Sequence, residues 1–133
     1  MMVTQKSLFQ KVFDACSLIN IKNKRKMNVL RSRRGEILIP EKVAEELNRG
    51  YISDPLRRFV KRFPELIVSF QNNEEDEYLR VRSQVGIGDG EAAAIAVALK
   101  RNLPLVIDDR RGKDKAVNHG IQTLSWLDFM SGV

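Results

Sequence analysis

Apolar residues follow two kinds of pattern along this chain. Short, dense apolar runs are typical of buried β-strands, whereas apolar positions three or four residues apart are typical of helices. Five runs predict strands: VF at 12–13, EILIP at 36–40, ELIVSF at 65–70, LPLVIDD at 103–109 and the start of IQTLSWLDFM at 121–130.

Helical patterns separate these runs. They lie at 41–50, 54–63, 74–86, 86–102 and 110–120, with a helix or loop after Asp14 and a helical tail at the end. Strands that alternate with helices predict βαβ units, and therefore a parallel sheet covered on both faces and joined by right-handed crossovers. The predicted fold class is α/β. The segment 86–102 is rich in alanine, so we expect it to lie very close to the sheet.

Length and composition are those of an ordinary globular chain. The 133 residues are 43% hydrophobic and 30% charged, so we expect a single domain over residues 1–133. The longest apolar run, 92–99, is too short to cross a bilayer, and the N-terminus lacks the layout of a signal peptide. Cys16 is the single cysteine and can form no internal disulfide. These features predict a cytoplasmic protein without a membrane partner.

The charge balance indicates an anionic partner. Lys and Arg number 23 against 17 Asp and Glu, which gives a formal net charge of +6. The basic residues gather at 22–34 and 56–62, while 72–77 is acidic. The alternative is a solvated basic face that serves only to keep the protein in solution.

Carboxylates border several of the predicted strands. Asp14 ends the first strand, and Asp108 and Asp109 end the fourth. Glu45 and Glu46 lie in the helix after the second strand, and Asp89 and Glu91 lie at the start of the alanine-rich helix. Ligands of open parallel sheets bind outside the carboxyl ends of the strands, so we expect these side chains to meet in one crevice.

Five of these acids also have a purely structural interpretation. Asp89 and Asp109 can cap the helices that they begin, and Glu91 can interact with a helix dipole. Glu45 and Glu46 can be solvated helix residues. The prediction of a functional site depends on the combination, because acids from four separate segments map to the same edge.

Clustered carboxylates point to a particular metal chemistry. They repel each other unless a cation neutralises them or some of them stay protonated. Oxygen ligands without His or Cys favour Mg²⁺ or Mn²⁺ over zinc. Mg²⁺ commonly takes one or two carboxylates together with phosphate oxygens, so an acidic crevice beside basic segments suits phosphodiester chemistry.

Four motifs in register resemble those of the PIN (PilT N-terminus) domain family. They are VFDACSLI, ILIPEKVAEEL, GDGEAAAIAVA and LVIDDRRGKDKAVNHGIQTLSWLDF, and together they span nearly the whole chain. The resemblance implies a three-layer α/β/α fold with a central, mostly parallel sheet. It also implies, for active members, cleavage of RNA that depends on Mg²⁺ or Mn²⁺.

The resemblance assigns roles to individual residues. The four acids are, in order, Asp14, Glu46 with Glu45 as the alternative, Glu91, and Asp109 with Asp108 as the alternative. The chain departs from the family at two positions. Cys16 stands where many members have Ser or Asn, and Asp108 stands where others often have threonine.

Our first hypothesis is a metal-dependent endoribonuclease. Asp14, Glu46, Glu91 and Asp109 would be catalytic and would hold the metal, with Asp108 as a further metal ligand. The residues expected to hold the RNA backbone are Lys24, Arg25, Lys26, Arg33, Arg34, Arg57, Arg58 and Arg110. The resemblance makes a homodimer and a small antitoxin protein candidate partners, since many family members are toxins of toxin–antitoxin pairs.

Two other hypotheses remain open from the sequence. The first is a PIN-like module that binds RNA or a protein without turnover. The second is a receiver-like phosphoacceptor, but such domains have an acidic pair after the first strand and a late lysine, and neither is evident here.

Overall fold

The computed structural model describes residues 9–132 of the chain. Part of the N-terminus on which the signal-peptide prediction rests, residues 1–8, lies outside the described residues. The strands are β1 (Lys11–Phe13), β2 (Ile37–Pro40), β3 (Ile67–Val68), β4 (Leu105–Val106) and β5 (Thr123–Leu124). The α-helices are α1 (Ala15–Asn23), α2 (Met27–Ser32), α3 (Glu41–Leu47), α4 (Pro55–Arg62), α5 (Glu74–Arg82), α6 (Asp89–Arg101), α7 (Arg110–Asn118) and α8 (Trp126–Met130).

The five strands form one parallel sheet in the order β3-β2-β1-β4-β5. Val12 of β1 lies opposite Leu38 of β2 on one side and opposite Leu105 of β4 on the other. The α/β class and the three-layer arrangement with a central parallel sheet are confirmed. The chain moves outward from β1 to β2 and β3 and then returns to β4, so the strand order reverses between β1 and β4. The carboxyl ends of these two strands therefore flank the crevice in which open α/β sheets bind ligands.

Two strands are shorter than their apolar runs. The start of ELIVSF forms a 3₁₀ turn, Pro64–Leu66, and only Ile67 and Val68 pair with β2. In the fourth run, Pro104 has no N–H to donate, and pairing with β5 begins at Leu105. Proline thus sets where each of these strands begins.

Helix α6 lies at the centre of the packing. It contacts β1, β2 and β4, and α5 and α3 pack against it. Every residue from Ala92 to Ala98 is buried. The alanine side chains let the helix approach the sheet closely, as predicted from the sequence. Helix α8 packs elsewhere on the sheet, where Phe129 meets Phe13 edge to face with ring centroids 4.9 Å apart.

A helix that crosses a bilayer needs about 20 mostly apolar residues. Between residues 9 and 132, no helix combines the length and the apolar composition that crossing a membrane requires.

Candidate active site

Asp14 lies between the carboxyl ends of the two central strands. It follows β1 directly, and its backbone is extended (φ −85°, ψ 158°), so it acts as the N-cap position of α1. Its N–H donates to the carbonyl of Val106 at the end of β4, at 3.1 Å. The residue is only 7% exposed. The residue is therefore placed at the point where the strand order reverses.

Glu46 reaches the same edge from the last turn of α3. Its Oε1 accepts a hydrogen bond from the backbone N–H of Gly90 at 3.1 Å. A Cβ atom on Gly90 would overlap this oxygen, so the first turn of α6 can approach the carboxylate only because a glycine stands there. Glu45 is exposed and lines a separate cavity of about 230 Å³ beside Tyr78. The structure thus brings Glu46, rather than Glu45, to the edge.

Glu91 and Asp109 meet across the first turns of α6 and α7. The Oε1 atom of Glu91 is buried and has no hydrogen-bond partner among residues 9–132. A Cβ on Gly112 would overlap that oxygen, and the Gly112 N–H donates to Asp109 Oδ2 at 3.0 Å. Gly112 therefore allows the two carboxylates to lie side by side. Asp109 also caps α7, so its structural interpretation is correct and does not exclude a second role.

The acids influence each other electrostatically. Burial raises the pKa of Asp14 to about 7; a hydrogen bond from the Ala15 backbone opposes this, and the charges of Glu91, Glu46 and Asp109 add to it. Burial is also the largest cause of the raised pKa of Glu91, followed by the charge of Asp109. Acids from four distant segments therefore share one electrostatic environment, as their positions in the sequence predict.

Cys16 borders this environment. Its thiol is exposed on the first turn of α1. Partial burial, followed by the charges of Asp14 and Asp109, raises the pKa of the thiol above its ordinary value, so it stays protonated at neutral pH. A protonated thiol is a weak hydrogen-bond donor beside the carboxylates and not a nucleophile.

Asp108 and Asp89 have partners of their own. Asp108 accepts a hydrogen bond from Ser17 Oγ at 2.6 Å, and the Trp126 N–H donates to both of its oxygens at 3.2 Å. It therefore joins α1 and α8 to the end of β4. Asp89 is the first residue of α6, which Gly88 caps, and it pairs with Arg82 and with the hydroxyl of Tyr78.

The carboxylates match a divalent cation in charge and in atom type. All four offer oxygen ligands, which Mg²⁺ and Mn²⁺ prefer, and Glu91 Oε1 is a buried acceptor with no donor among residues 9–132. As placed, however, no three His, Cys, Asp or Glu side chains of this described part form a group that could hold a metal ion. Glu46 and Asp109 are each turned toward a backbone N–H instead.

The basic residues predicted to bind RNA occupy different parts of the surface. Lys24, Arg25 and Lys26 are exposed in the loop after α1. Helix α1 runs away from the acids for nine residues, which is about 13 Å. This loop therefore lies toward the opposite edge of the sheet. Arg34 lies on the connection to β2, with its guanidinium over the Phe63 ring at 4.9 Å from the centroid.

Arg33 is used inside the molecule. Its guanidinium pairs with Glu36 at 2.8 Å, donates to the carbonyl of Phe129 and lies 3.7 Å from the centroid of the Phe129 ring. These contacts engage all three nitrogens of the guanidinium, so Arg33 acts within the fold and is poorly placed to hold RNA.

The remaining three predicted basic residues lie near the starts of α4 and α7. Arg57 donates to the carbonyl of Gly50 at 2.7 Å, and Arg58 is exposed. Arg110 is exposed and directly follows Asp109. A groove of about 340 Å³ beside Arg58 is lined in addition by Arg31, Pro55, Phe59, Arg62 and Phe63.

Sequence reasoning missed three residues that shape the site. Gly90 and Gly112 permit the close approaches described above, and buried Ser17 holds Asp108. The only available signal for the glycines was a glycine inside the first turn of each of two predicted helices, where glycine is unfavourable without a packing reason. Ser17 directly follows Cys16, the position at which many family members have Ser or Asn, and this was its only signal in the sequence.

The fold and the site together define the class of protein. The chain is a parallel α/β protein with a carboxylate crevice at the point where its strand order reverses. Residues 10–128 match a family model described as a PIN domain, so the chain belongs to the PIN-domain family. PIN domains are generally nucleases and typically use divalent metal ions. A comparison with curated proteins gave no match.

Proposed function

We propose that this protein is a metal-dependent ribonuclease whose acids are Asp14, Glu46, Glu91 and Asp109. One observation carries the proposal: four acids from distant segments of the chain share one partly buried environment in which they repel each other. Burial and the neighbouring acids raise the pKa of Asp14 to about 7, and Glu91 keeps a buried oxygen without a donor in the described residues. A divalent cation would remove the repulsion and satisfy that oxygen.

The four acids have separable tasks in this proposal. Asp14 and Glu91, the more enclosed pair, would hold the cation. Glu46 and Asp109 would complete the site from α3 and α7, each now held near it by a backbone N–H. When bound, Mg²⁺ or Mn²⁺ would supply neutralisation of phosphate charge and a water of lowered pKa.

The substrate in this proposal is RNA, held by its phosphates. Arg110 lies next to the acids, and Arg57 and Arg58 lie at the start of α4. Lys24–Lys26 and Arg34, toward the other edge of the sheet, would contact phosphates farther along the strand. The net charge of +6 supports an anionic substrate.

The central test is Asp14→Asn. The amide keeps the shape of the side chain and removes its charge, so Mn²⁺-dependent cleavage of a single-stranded RNA should fall at least about a hundredfold. The melting temperature of the metal-free protein should stay the same or rise, because a costly buried charge is gone. Exposed Asp76 on α5 offers the matched exchange, and Asp76→Asn should cleave like the wild type.

Cleavage that survives Asp14→Asn would overturn this mechanism. Calorimetry with Mn²⁺ distinguishes the alternative, a PIN domain that binds without turnover. The wild type should give a heat of Mn²⁺ binding that Asp14→Asn lacks. Absence of that heat in the wild type, with RNA affinity retained, would instead identify a binding module.

We further propose a biological setting as the toxin of a toxin–antitoxin pair, with the antitoxin and a second copy of the chain as protein partners. Family membership supports this proposal. A small antitoxin-like reading frame beside the gene and co-purification of its product are the observations expected. Their absence, with RNA cleavage intact, would favour a role in RNA processing.

A further inference from the structure

The loop between α3 and α4 exposes two large apolar side chains. Tyr51 is 85% exposed and Ile52 is 79% exposed. Exposed apolar residues are common singly, but an aromatic residue and a β-branched residue side by side at a loop tip call for a reason.

The base of this loop is firmly held. The Asp54 side chain accepts from the backbone N–H groups of Leu56 and Arg57 and pairs with Lys22 at 3.0 Å. Arg57 donates to the carbonyl of Gly50, and the Asp54 N–H donates to the carbonyl of Tyr51 at 2.9 Å. The two exposed side chains are therefore presented by an ordered turn, which lowers the entropy lost when a ligand binds.

The loop begins beside the acids. Glu46 lies five positions before Tyr51, and the carbonyl of Glu46 accepts the Arg49 N–H at 3.2 Å, so the chain turns immediately after the site residue. Successive phosphates of an extended RNA strand are separated by about the length of two residues of extended chain. Five residues of extended chain reach at most about 17 Å, so Tyr51 lies within about two to three nucleotides of a phosphate placed at the acids.

The charges around the loop favour nucleic acid over a protein surface. Exposed Arg49 precedes the two apolar residues, Arg57 and exposed Arg58 follow them, and an arginine-lined groove continues along α4. Proteins that bind single strands combine a positively charged path with aromatic rings on which bases stack. A surface that binds protein would instead be expected to show a contiguous apolar patch. Here an aromatic ring lies between arginines, which is the pattern of single-strand binding.

We propose that Tyr51 stacks on an unpaired base of the bound RNA, a few nucleotides from the phosphate at the acids. This proposal rests on the proposed nuclease function, which makes the acids the place where RNA is cleaved. Tyr51 is a positioning residue here, because it touches a base and not the reacting phosphate.

The test is a binding experiment in EDTA, where no cleavage occurs. The probe is a single-stranded RNA oligonucleotide that carries 2-aminopurine, whose fluorescence is quenched when the base stacks. The wild type should quench the probe on binding. Tyr51→Ala should abolish the quenching and weaken binding about five- to a hundredfold. Tyr51→Phe keeps the ring and should behave like the wild type.

Two controls isolate stacking. Leu79, a half-exposed apolar residue on α5, provides the matched truncation, and Leu79→Ala should leave binding unchanged. A duplex of the same sequence has no unpaired base, so Tyr51→Ala should bind it as the wild type does.

Wild-type affinity and quenching in Tyr51→Ala would overturn the proposal. Sedimentation velocity covers the protein alternative: if Tyr51→Ala changes the oligomeric state and leaves RNA affinity unchanged, the loop is a protein contact and the proposal fails. Failure of the nuclease function is seen separately, as a wild type that binds RNA through Tyr51 but does not cleave it with Mn²⁺.

Discussion

At the scale of single residues, two glycines decide where two of the carboxylates lie. Glycine inside a helix costs about 0.5–1 kcal/mol relative to alanine. Gly90 and Gly112 occupy such positions because a Cβ on either would overlap an acid, Glu46 for the first and Glu91 for the second. Each glycine weakens its own helix. Gly90 allows a backbone N–H of α6 to approach Glu46, and Gly112 allows α7 to approach Glu91.

Gly90→Ala should therefore separate activity from stability. The overlapped atom is the end of a flexible side chain, so Glu46 can move aside, and the free energy of unfolding should change by less than about 1 kcal/mol. The displaced carboxylate no longer accepts from residue 90, and Mn²⁺-dependent cleavage should fall at least about tenfold. Cleavage assays and urea denaturation measure the two effects.

Gly88 supplies the matched control for this exchange. A Cβ there meets nothing within 4 Å, so Gly88→Ala should retain cleavage. Equal losses of activity in both alanine variants would show that the start of α6, and not the position of Glu46, is what matters.

The adjacent Asp108 and Asp109 are the same residue type, so residue type alone does not decide which of them joins the other acids. The sequence placed both at the carboxyl end of β4 and did not choose between them. The choice comes from neighbours distant in the chain: Ser17 and Trp126 occupy the oxygens of Asp108, while Asp109 turns toward α7 and Glu91. Which carboxylate is engaged is a property of packing, and one sequence does not reveal it.

At the scale of elements, the short helix α8 is stabilised by its own capping residues and by contacts with a distant segment. Ser125 and Asp128 form a capping box at its start. Arg33, on the connection to β2, donates to the carbonyl of Phe129 and lies over its ring. Glu36 fixes that guanidinium, and this pairing is the largest cause that lowers the pKa of the Glu36 carboxyl.

Arg33→Ala should destabilise the protein because it removes these contacts together. We expect a loss of about 1–3 kcal/mol in the free energy of unfolding, since hydrogen bonds to a charged group and the contact with Phe129 are both lost. Arg34→Ala, at the exposed neighbouring position, is the control and should cost less than about 1 kcal/mol. Urea denaturation compares them, and a wild-type midpoint for Arg33→Ala would contradict the internal role.

The elements themselves were largely predictable. The alternation of apolar runs and helical patterns gave the parallel sheet, and the alanine-rich segment gave the central helix, both confirmed. Strand lengths were not predictable, since β3 and β4 pair over only two residues each. Strand pairing depends on the backbone hydrogen-bonding groups that the neighbouring strand places alongside. An apolar run in the sequence indicates only burial.

At the scale of the whole molecule, the acids make stability depend on pH. The folded-state pKa of Asp14, about 7, lies above its ordinary value of 3.8. Between these values the folded protein binds more protons than the unfolded chain, so stability should fall as the pH rises from about 4 to 7 and level off above 7. The effect is on the order of a few kcal/mol.

Asp14→Asn should remove most of this slope in metal-free protein. Its free energy of unfolding should exceed that of the wild type at pH 8 and approach it near pH 4. The same exchange at exposed Asp76 should keep the wild-type slope. Denaturation curves at several pH values in EDTA provide the measurement, and parallel slopes for the wild type and Asp14→Asn would contradict a costly buried charge at this position.

The sequence by itself determined the class of fold and the edge at which the acids gather, because the carboxyl ends of parallel strands all lie at one edge of a sheet. Tertiary structure alone decided which acid of each pair faces the others, that Arg33 contacts Glu36 and Phe129, and that Tyr51 is exposed in the loop that follows Glu46. Periodicity reports burial and local conformation along the chain. Contacts between residues tens of positions apart appear only when the segments are packed together.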